Sequence, residues 1–171
     1  GRNIAGFKFT NNADRARSVR GWDVDKRIVV DTLAGDDTII ASNIYSAIDN
    51  DGTITTGEGN DGITGEGSWG ISNNGKINTG TDNDNITGIG VSGSGGYGIS
   101  NRGSINTGVG NDIITGEGSR RFGISNWAST IKTGAGNDII TGTGNKNNAG
   151  IYNTGKIDTG TGNDIIDALI G

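Results

Sequence analysis

The sequence repeats one short motif at a nearly constant distance, and this repetition constrains the fold more than any other feature. The motif Gly-x-Gly-Asn-Asp, or a close variant of it, ends at Asp61, Asp84, Asp112, Asp138 and Asp164. The spacings are 23, 28, 26 and 26 residues, and a degenerate copy, TLAGDDTII, places Asp37 24 residues before Asp61. A period of this length is typical of solenoid proteins, in which each repeat forms one coil.

Isoleucine occupies three fixed positions of the repeat. Each position lies in a segment bounded by Gly, Asn or Asp, which is too short for a helix and suits a strand. A single unit of three short strands cannot bury its isoleucines, whereas stacked coils bury them in continuous columns. The three columns are Ile48, Ile71, Ile99, Ile124 and Ile151; Ile54, Ile77, Ile105, Ile131 and Ile157; and Ile39, Ile63, Ile86, Ile114, Ile140 and Ile166.

These patterns predict an all-β protein with the fold of a parallel β-helix, or β-solenoid. We expect about six coils of 23–28 residues over residues 28–171, and a right-handed path. Residues 1–27 break the repeat and are predicted to form an N-terminal cap. Phe7, Phe9 and Trp22 are available there to cover the first coil.

The charge distribution bears on possible partners. The chain has a formal net charge of −5, although residues 1–27 carry seven basic and three acidic side chains, a net of +4, which leaves −9 for the remainder. An acidic repeat region argues against nucleic acid as a partner and favours cations. The basic segment is interpreted as the solvated face of the cap. No apolar run is long enough to span a bilayer, so no membrane span is expected.

The repeated turn has the residue types of a calcium site. Glycines two residues apart allow positive φ angles and close backbone approach, so carbonyl oxygens can converge, and the aspartate adds a carboxylate. Such hard oxygen ligands favour Ca²⁺ over transition metals. The chain contains no Cys and no His, which argues against zinc and copper. Stacking would place one turn above the next, so an ion could use oxygens of both.

The turns resemble the repeats-in-toxin (RTX) calcium motif, Gly-Gly-x-Gly-x-Asp-x-(apolar)-x. In the turn at residues 133–140, Gly134, Gly136, Asp138 and Ile140 match, and Thr133 replaces the first glycine. The resemblance implies bound Ca²⁺, secretion and folding on meeting extracellular calcium. It covers well under half of the chain, and the motif occurs once per coil instead of every nine residues, which implies at most one ion column. The implied metal-site residues are Gly57, Gly59, Asp61, Asp84, Gly108, Gly110, Asp112, Gly134, Gly136, Asp138, Gly160, Gly162 and Asp164.

Two of the turns depart from the pattern, and a plainer interpretation exists for all of them. Asp82 replaces the second glycine of one turn, and Leu33 replaces the first glycine of the degenerate copy. The Asn–Asp pairs can also be ordinary turn formers that cap their own backbone. The regular aspartate column, without a compensating basic column, favours the calcium interpretation.

Further columns have structural interpretations. Asparagines two residues after the first isoleucine column are expected to face inward and form an amide ladder. Threonines before the turn are expected to bond backbone groups. The asparagines are Asn50, Asn73, Asn101, Asn126 and Asn153, and the threonines are Thr56, Thr79, Thr107, Thr133 and Thr159.

Two further columns raise the alternative of a ligand-binding adhesin surface. Thr64, Thr87, Thr115 and Thr141 form a row similar to that of ice-binding solenoids, although the turn position that would carry a second threonine row is mixed. Trp69, Tyr97 and Phe122 form either a sugar-stacking platform or, as favoured here, the filling of a solenoid corner.

The sequence therefore predicts a calcium-binding structural repeat module of a secreted or cell-surface bacterial protein, with a polysaccharide- or ice-binding surface as the alternative. Because acidic residues recur as repeats and do not form one isolated constellation, no enzymatic activity is expected. The last coil, ending in DIIDALIG, has no polar cap. We expect further chain or a partner, such as a neighbouring solenoid, to cover it.

Overall fold

A computed structural model of the chain describes residues 9–91 and 95–171 in full and the backbone of residues 2–3. These residues form strands, turns and bends, and none of them belongs to a helix long and apolar enough to cross a membrane. The strands are β1 (Arg2–Asn3), β2 (Arg15–Ser18), β3 (Trp22–Val24), β4 (Val29–Asp31), β5 (Thr38–Asn50), β6 (Thr53–Glu58), β7 (Gly62–Asn73), β8 (Lys76–Thr81), β9 (Asn85–Gly90), β10 (Tyr97–Asn101), β11 (Ser104–Val109), β12 (Ile113–Gly118), β13 (Ile124–Asn126), β14 (Thr130–Lys132), β15 (Ile139–Gly144), β16 (Ile151–Asn153), β17 (Lys156–Asp158) and β18 (Ile165–Ile170).

All strand pairs are parallel, and they build a solenoid of about six turns, which confirms the predicted fold class. One sheet of six strands has the order β17-β14-β11-β8-β6-β4. The larger sheet follows the path β1-β3-β5-β7-β9-β12-β15-β18, and β2, β10, β13 and β16 pair alongside it. We number the coils by their turn aspartate, from coil 1 (Asp37) to coil 6 (Asp164).

The register aligns the repeats residue for residue. Ile63 pairs with Ile86 and Ile71 pairs with Ile99 in the larger sheet, and Ile54 pairs with Ile77 in the smaller one. From coil 1 to the strand that precedes the coil 5 turn, the column isoleucines are at most 1 % exposed. The three isoleucine columns are therefore the core, as predicted. A buried isoleucine side chain contributes roughly 1.5–3 kcal/mol, an upper estimate for a chain whose unfolded state is compact.

The segment predicted as a cap continues the sheets. Strand β2 pairs with residues 38–41 of β5, so that Ala16 occupies the place of an isoleucine beneath Ile39. Trp22 pairs with Ile48 and is 1 % exposed, and its indole N–H donates to the carbonyl of Ile40. Phe9 packs against the core. Phe7 lies outside the described residues, and the domain boundary at residue 27 stays a prediction.

At the opposite end, the last coil exposes apolar side chains to solvent. Ile165, Ile166, Leu169 and Ile170 of β18 are 48–68 % exposed. Among the described strands, β18 pairs with β15 alone, so its other edge has no strand partner. The expectation that further chain or a partner covers this coil stays a prediction.

Candidate cation-binding column

The glycines of the repeated turn allow two coils to approach closely. Gly108 has a φ angle of 101°, and a Cβ atom there would collide with the carbonyl oxygen of Gly80 in the coil below. Gly136, at a φ angle of 146°, has the same relationship to the carbonyl of Gly110. L-residues rarely adopt such angles, so both the conformation and the packing select glycine. Gly57, Gly59, Gly134, Gly160 and Gly162 also have positive φ angles, between 81° and 143°.

The two residues that replace these glycines also have positive φ angles. Leu33 has a φ angle of 76° and Asp82 has one of 77°. Neither side chain therefore reroutes the turn, and the aspartates that follow, Asp37 and Asp84, keep their places in the column. Left-handed residues other than glycine store about 1–3 kcal/mol of strain.

The turn aspartates point into the solenoid. Asp37, Asp61, Asp84, Asp112 and Asp138 are at most 2 % exposed, and Asp164 in the last coil is half-buried. Each Oδ1 accepts a hydrogen bond from the backbone N–H of the aspartate one coil earlier; the bond from Asp112 to Asp138 is 2.9 Å long. The six bonds from Asp14 to Asp164 measure 2.7–3.0 Å.

The second carboxylate oxygen has no donor. Among the described residues, Oδ2 of Asp37, Asp61, Asp84, Asp112 and Asp138 is buried without a hydrogen-bond partner. A threonine hydroxyl lies beside each of the first four carboxylates, for example Thr79 beside Asp84. That hydroxyl has one proton, and Thr79 donates it to the carbonyl of Thr107, 3.2 Å away. While the hydroxyl donates to that carbonyl, Oδ2 of Asp84 has no donor among the described residues. The same hydroxyl, turned toward Asp84, would stabilise the carboxylate and lower its pKa.

Burial disfavours the ionised form of these carboxyl groups. It raises the pKa of Asp84 to about 7, while the Thr79 hydroxyl and the backbone N–H of Asp61 lower it and the neighbouring carboxylates raise it further. Burial also raises the pKa of Asp37, Asp61 and Asp112 above the ordinary value of 3.8. An ion-free column is thus under electrostatic strain at neutral pH.

The predicted metal-site residues lie in one column, but the glycines and the aspartates have different roles in it. The carbonyls of Gly108 and Gly134 accept backbone amides of the next coil, from Ala135 at 3.1 Å and Thr161 at 2.8 Å. The aspartates supply the unpaired oxygens. In the described parts of the chain, no three acidic side chains converge closely enough to hold a metal ion by themselves, so an ion here would draw on carboxylates of stacked coils together with hydroxyl or carbonyl oxygens.

The asparagine beside each aspartate faces solvent. Its side-chain oxygen accepts a hydrogen bond from the following coil, whereas the aspartate accepts one from the preceding coil. Oδ1 of Asn83 accepts the backbone N–H of Asn111 in the following coil at 2.8 Å, and Asn137 and Asn163 continue the row. Sequence reasoning identified the Asn–Asp pair as turn chemistry or as part of an ion site. The structure shows that the asparagine oxygen accepts a backbone hydrogen bond from a neighbouring turn. The aspartate does the same with Oδ1, while its Oδ2 has no hydrogen-bond partner among the described residues.

The predicted asparagine and threonine columns are confirmed except in their last members, since Asn153 is exposed to solvent and Thr159, among the described residues, acts only as an acceptor, through its carbonyl. Asn50, Asn73, Asn101 and Asn126 are buried, and each side-chain amide donates to the asparagine of the next coil at 2.7–2.8 Å. The hydroxyls of Thr56, Thr79, Thr107 and Thr133 donate to the threonine carbonyl of the next coil.

The outward threonine row is in register but narrow. Thr64, Thr87, Thr115 and Thr141 pair in sequence and are half-buried. The outward columns on both sides are mixed, with Glu66, Ile89 and Glu117 on one side and Gly62, Asn85 and Ile113 on the other. The threonine row is therefore a single row between mixed columns and does not extend into a uniform surface.

The aromatic column lies outside the cluster of buried core residues, and its filling of a solenoid corner stays a prediction. Trp69 and Tyr97 have ring centroids 4.8 Å apart, and Tyr97 and Phe122 are 6.2 Å apart. All three rings are half-buried. Two further rings join them, Tyr152 and Trp127, which sequence reasoning missed. A signal existed, since Tyr152 interrupts a column of serines and Trp127 lies in the one unit whose turn carries an inserted residue.

Comparison with known proteins gives no match: no family model, no curated protein and no solved structure is significantly similar to this chain.

Proposed function

We propose that this chain is a calcium-binding structural module whose buried aspartate column takes up Ca²⁺ as the solenoid forms. The observation that carries the proposal is the set of five buried Oδ2 atoms without a donor, stacked one per coil. Carboxylate oxygen is the ligand that calcium prefers, and these oxygens occur where the turns of neighbouring coils meet.

Electrostatics support a cation at this place. Buried ionised carboxylates are destabilising unless they are paired or bind a metal ion. The turn aspartates have no basic side chain among the hydrogen-bond and ion-pair partners found for them in the described residues. A divalent ion between two coils would offset the desolvation of both carboxylates and their mutual repulsion.

The proposal links ion binding to folding. The stacked carboxylates exist only in the folded coil, so an ion that binds there stabilises the fold by RT ln(1 + [L]/Kd), about 2.7 kcal/mol per site at a hundredfold excess. Asp61, Asp84, Asp112, Asp138 and Asp164 would hold the ions, with hydroxyl or backbone oxygens of the same turns completing the shell. Dissociation constants near 10⁻⁴–10⁻³ M are expected, which is the range of extracellular modules. A secreted or cell-surface bacterial protein is the setting that this affinity suits.

Calorimetric titration of the chain with CaCl₂ at pH 8, after removal of metal, tests the proposal. The matched pair of variants is Asp112→Asn, which neutralises an inward carboxylate, and Asp36→Asn, which neutralises the outward residue beside Asp37. Asp36 already occupies the asparagine position, where its Oδ1 accepts the N–H of Asn60 at 2.8 Å, so the second variant keeps the turn intact.

We expect several calcium ions per chain for the unmodified protein and for Asp36→Asn, and at least one fewer for Asp112→Asn. No calcium heat for the unmodified protein would contradict the proposal. An equal loss in both variants would show that the ions bind to general surface charge.

A further inference from the structure

The outer face of coils 3–5 carries a groove of about 310 Å³ lined by aromatic rings and arginines. Tyr97 and Phe122 lie at one end of the strand segments β10 and β13, and Arg102 and Trp127 lie in the turns at the other end. The side chains of Ser100 and Ser125 lie between these two walls. The groove therefore runs along the solenoid axis, across successive coils.

Tyr152 shows what shape this space accepts. It pairs with Ser125 in the next coil, so its ring stands in the serine column. The ring stacks on Phe122 at 4.7 Å with an interplanar angle of 16°, and on Trp127 at 5.9 Å with an angle of 27°. A flat ring thus contacts both walls at once. Serines replace it at the two preceding positions and leave space for a ring there, with hydroxyl groups on the floor.

The charged residues of the groove are both cationic. Arg121 lies over the Tyr97 ring, with its Cζ atom 5.8 Å from the ring centroid, and Arg102 stands on the opposite wall. None of the described residues that line the groove is acidic. The whole chain has a net charge of −5, so this local positive charge is the reverse of the general surface. The groove is therefore electrostatically complementary to an anion.

We propose that this groove binds an acidic polysaccharide, with a sugar ring packed over Ser100 and Ser125 against Trp127 and carboxylates paired with Arg102 and Arg121. Aromatic side chains pack against the apolar faces of sugar rings, and guanidinium groups make charge-assisted hydrogen bonds with carboxylates. A polymer suits a groove that crosses several coils, because successive sugar units can follow the axis. Trp127, 54 % exposed, is the residue most available for contact.

This site is independent of the aspartate column. The column lies inside the solenoid at the turn before β9, β12 and β15, whereas the groove lies on the outer surface of β10, β13 and β16. Polysaccharide binding in the groove can therefore be tested independently of calcium binding in the column.

The test is calorimetric titration with hexagalacturonate, and with maltohexaose as the neutral probe of equal length, in calcium-containing buffer. Heat from each sugar injected into buffer alone is subtracted, which removes calcium binding by the uronate itself. Three proteins are compared with the unmodified chain: Trp127→Ala, the double variant Arg102→Gln/Arg121→Gln, and Tyr45→Ala. Tyr45 is 71 % exposed outside the groove and serves as the control.

Hexagalacturonate is expected to bind the unmodified chain and Tyr45→Ala equally, and more weakly as salt is added. Loss of one aromatic contact or of the guanidinium pair should weaken binding by about tenfold. Thermal melts of the variants should match the unmodified protein because the altered side chains lie outside the core. Absence of binding, equal binding by Trp127→Ala, or equally tight binding of maltohexaose would overturn the proposal.

Discussion

The backbone N–H of Asp84 donates to Oδ1 of Asp112, 2.9 Å away in the next coil. The outer asparagines make the reverse connection, since the N–H of Asn111 donates to Oδ1 of Asn83 in the coil before it. Each Asn–Asp pair thus links its turn to both neighbouring turns, inward through the aspartate and outward through the asparagine. This arrangement accounts for the repeated Asn–Asp pair, except for the unpaired Oδ2 of the aspartate.

Two replacements of Asp112 should separate the effect of its Oδ1 hydrogen bond from the effect of its buried charge. Asp112→Ala leaves the N–H of Asp84 without an acceptor and should lower the free energy of unfolding by about 1–3 kcal/mol. Asp112→Asn keeps Oδ1 and removes the buried charge, so in chelator at pH 8 it should melt at or above the temperature of the unmodified chain. Denaturant unfolding of both variants measures the difference. Equal destabilisation by both would show that the charge itself is needed without metal.

The inner asparagine ladder should contribute more in the middle than at its end. Asn101 accepts from Asn73 at 2.7 Å and donates to Asn126 at 2.8 Å, fully buried. Asn101→Ala should cost roughly 2–3 kcal/mol, because it removes two buried ladder hydrogen bonds and leaves one amide proton of Asn73 without its acceptor. Asn153 occupies the same column but is exposed, so Asn153→Ala should cost under about 1 kcal/mol. Urea midpoints compare the two, and similar losses would argue against a cooperative ladder.

Gly108, which packs directly on the coil below, should tolerate no side chain. Gly108→Ala combines a left-handed backbone with a collision against the carbonyl of Gly80, and should cost about 3 kcal/mol or more. Gly62→Ala is the control, since a Cβ there would lie 3.7 Å from Thr38 and other coils carry Asn85 or Ile113 at that position. It should change stability by less than about 1 kcal/mol. Thermal melts check both, and a mild effect of Gly108→Ala would mean that the coils can separate at this turn.

Sequence periodicity was sufficient to predict the coils, because burial selects isoleucine at the same three places in every unit. It also predicted the asparagine ladder, since an amide that recurs inside a stacked fold can pair only with its copies. Sequence periodicity could not predict which side chain of each turn faces the interior. Asn60 and Asp61 are adjacent in the sequence, and only the left-handed backbone at Gly57 and Gly59 decides which one faces inward.

The first residues and the aromatic groove show a different limit. Strand β2 was hidden because Ala16 stands where later coils have isoleucine, so the apolar column is weaker there. Trp127 and Tyr152 depart from the repeat, and repeat analysis discards such departures. Their meaning depends on the contact between residues 25 positions apart in the sequence, which only the stacking of two coils produces.

Without metal, stability should fall as pH rises. The pKa of Asp84 is about 7 in the folded chain against an ordinary value of 3.8, so the folded state holds more protons in this range. Its contribution is complete below pH 3.8 and is lost as pH rises through about 7. In chelator, the melting temperature should therefore drop by roughly 5–10 °C between pH 4 and pH 8. Asp84→Asn should flatten this dependence, and an unchanged slope in that variant would assign the effect to other groups.

Calcium should reverse that trend, and circular dichroism of the chain at pH 8 with and without chelator measures it most directly. The account predicts that calcium raises the melting temperature by roughly 10 °C or more at pH 8, because a few sites at about 2.7 kcal/mol each match a typical domain's stability. At pH 4, where its pKa of about 7 keeps the Asp84 carboxyl group protonated, calcium should have a smaller effect. An identical strand signal and melting temperature at pH 8 after complete removal of calcium would contradict the account and leave the aspartate column as turn chemistry alone.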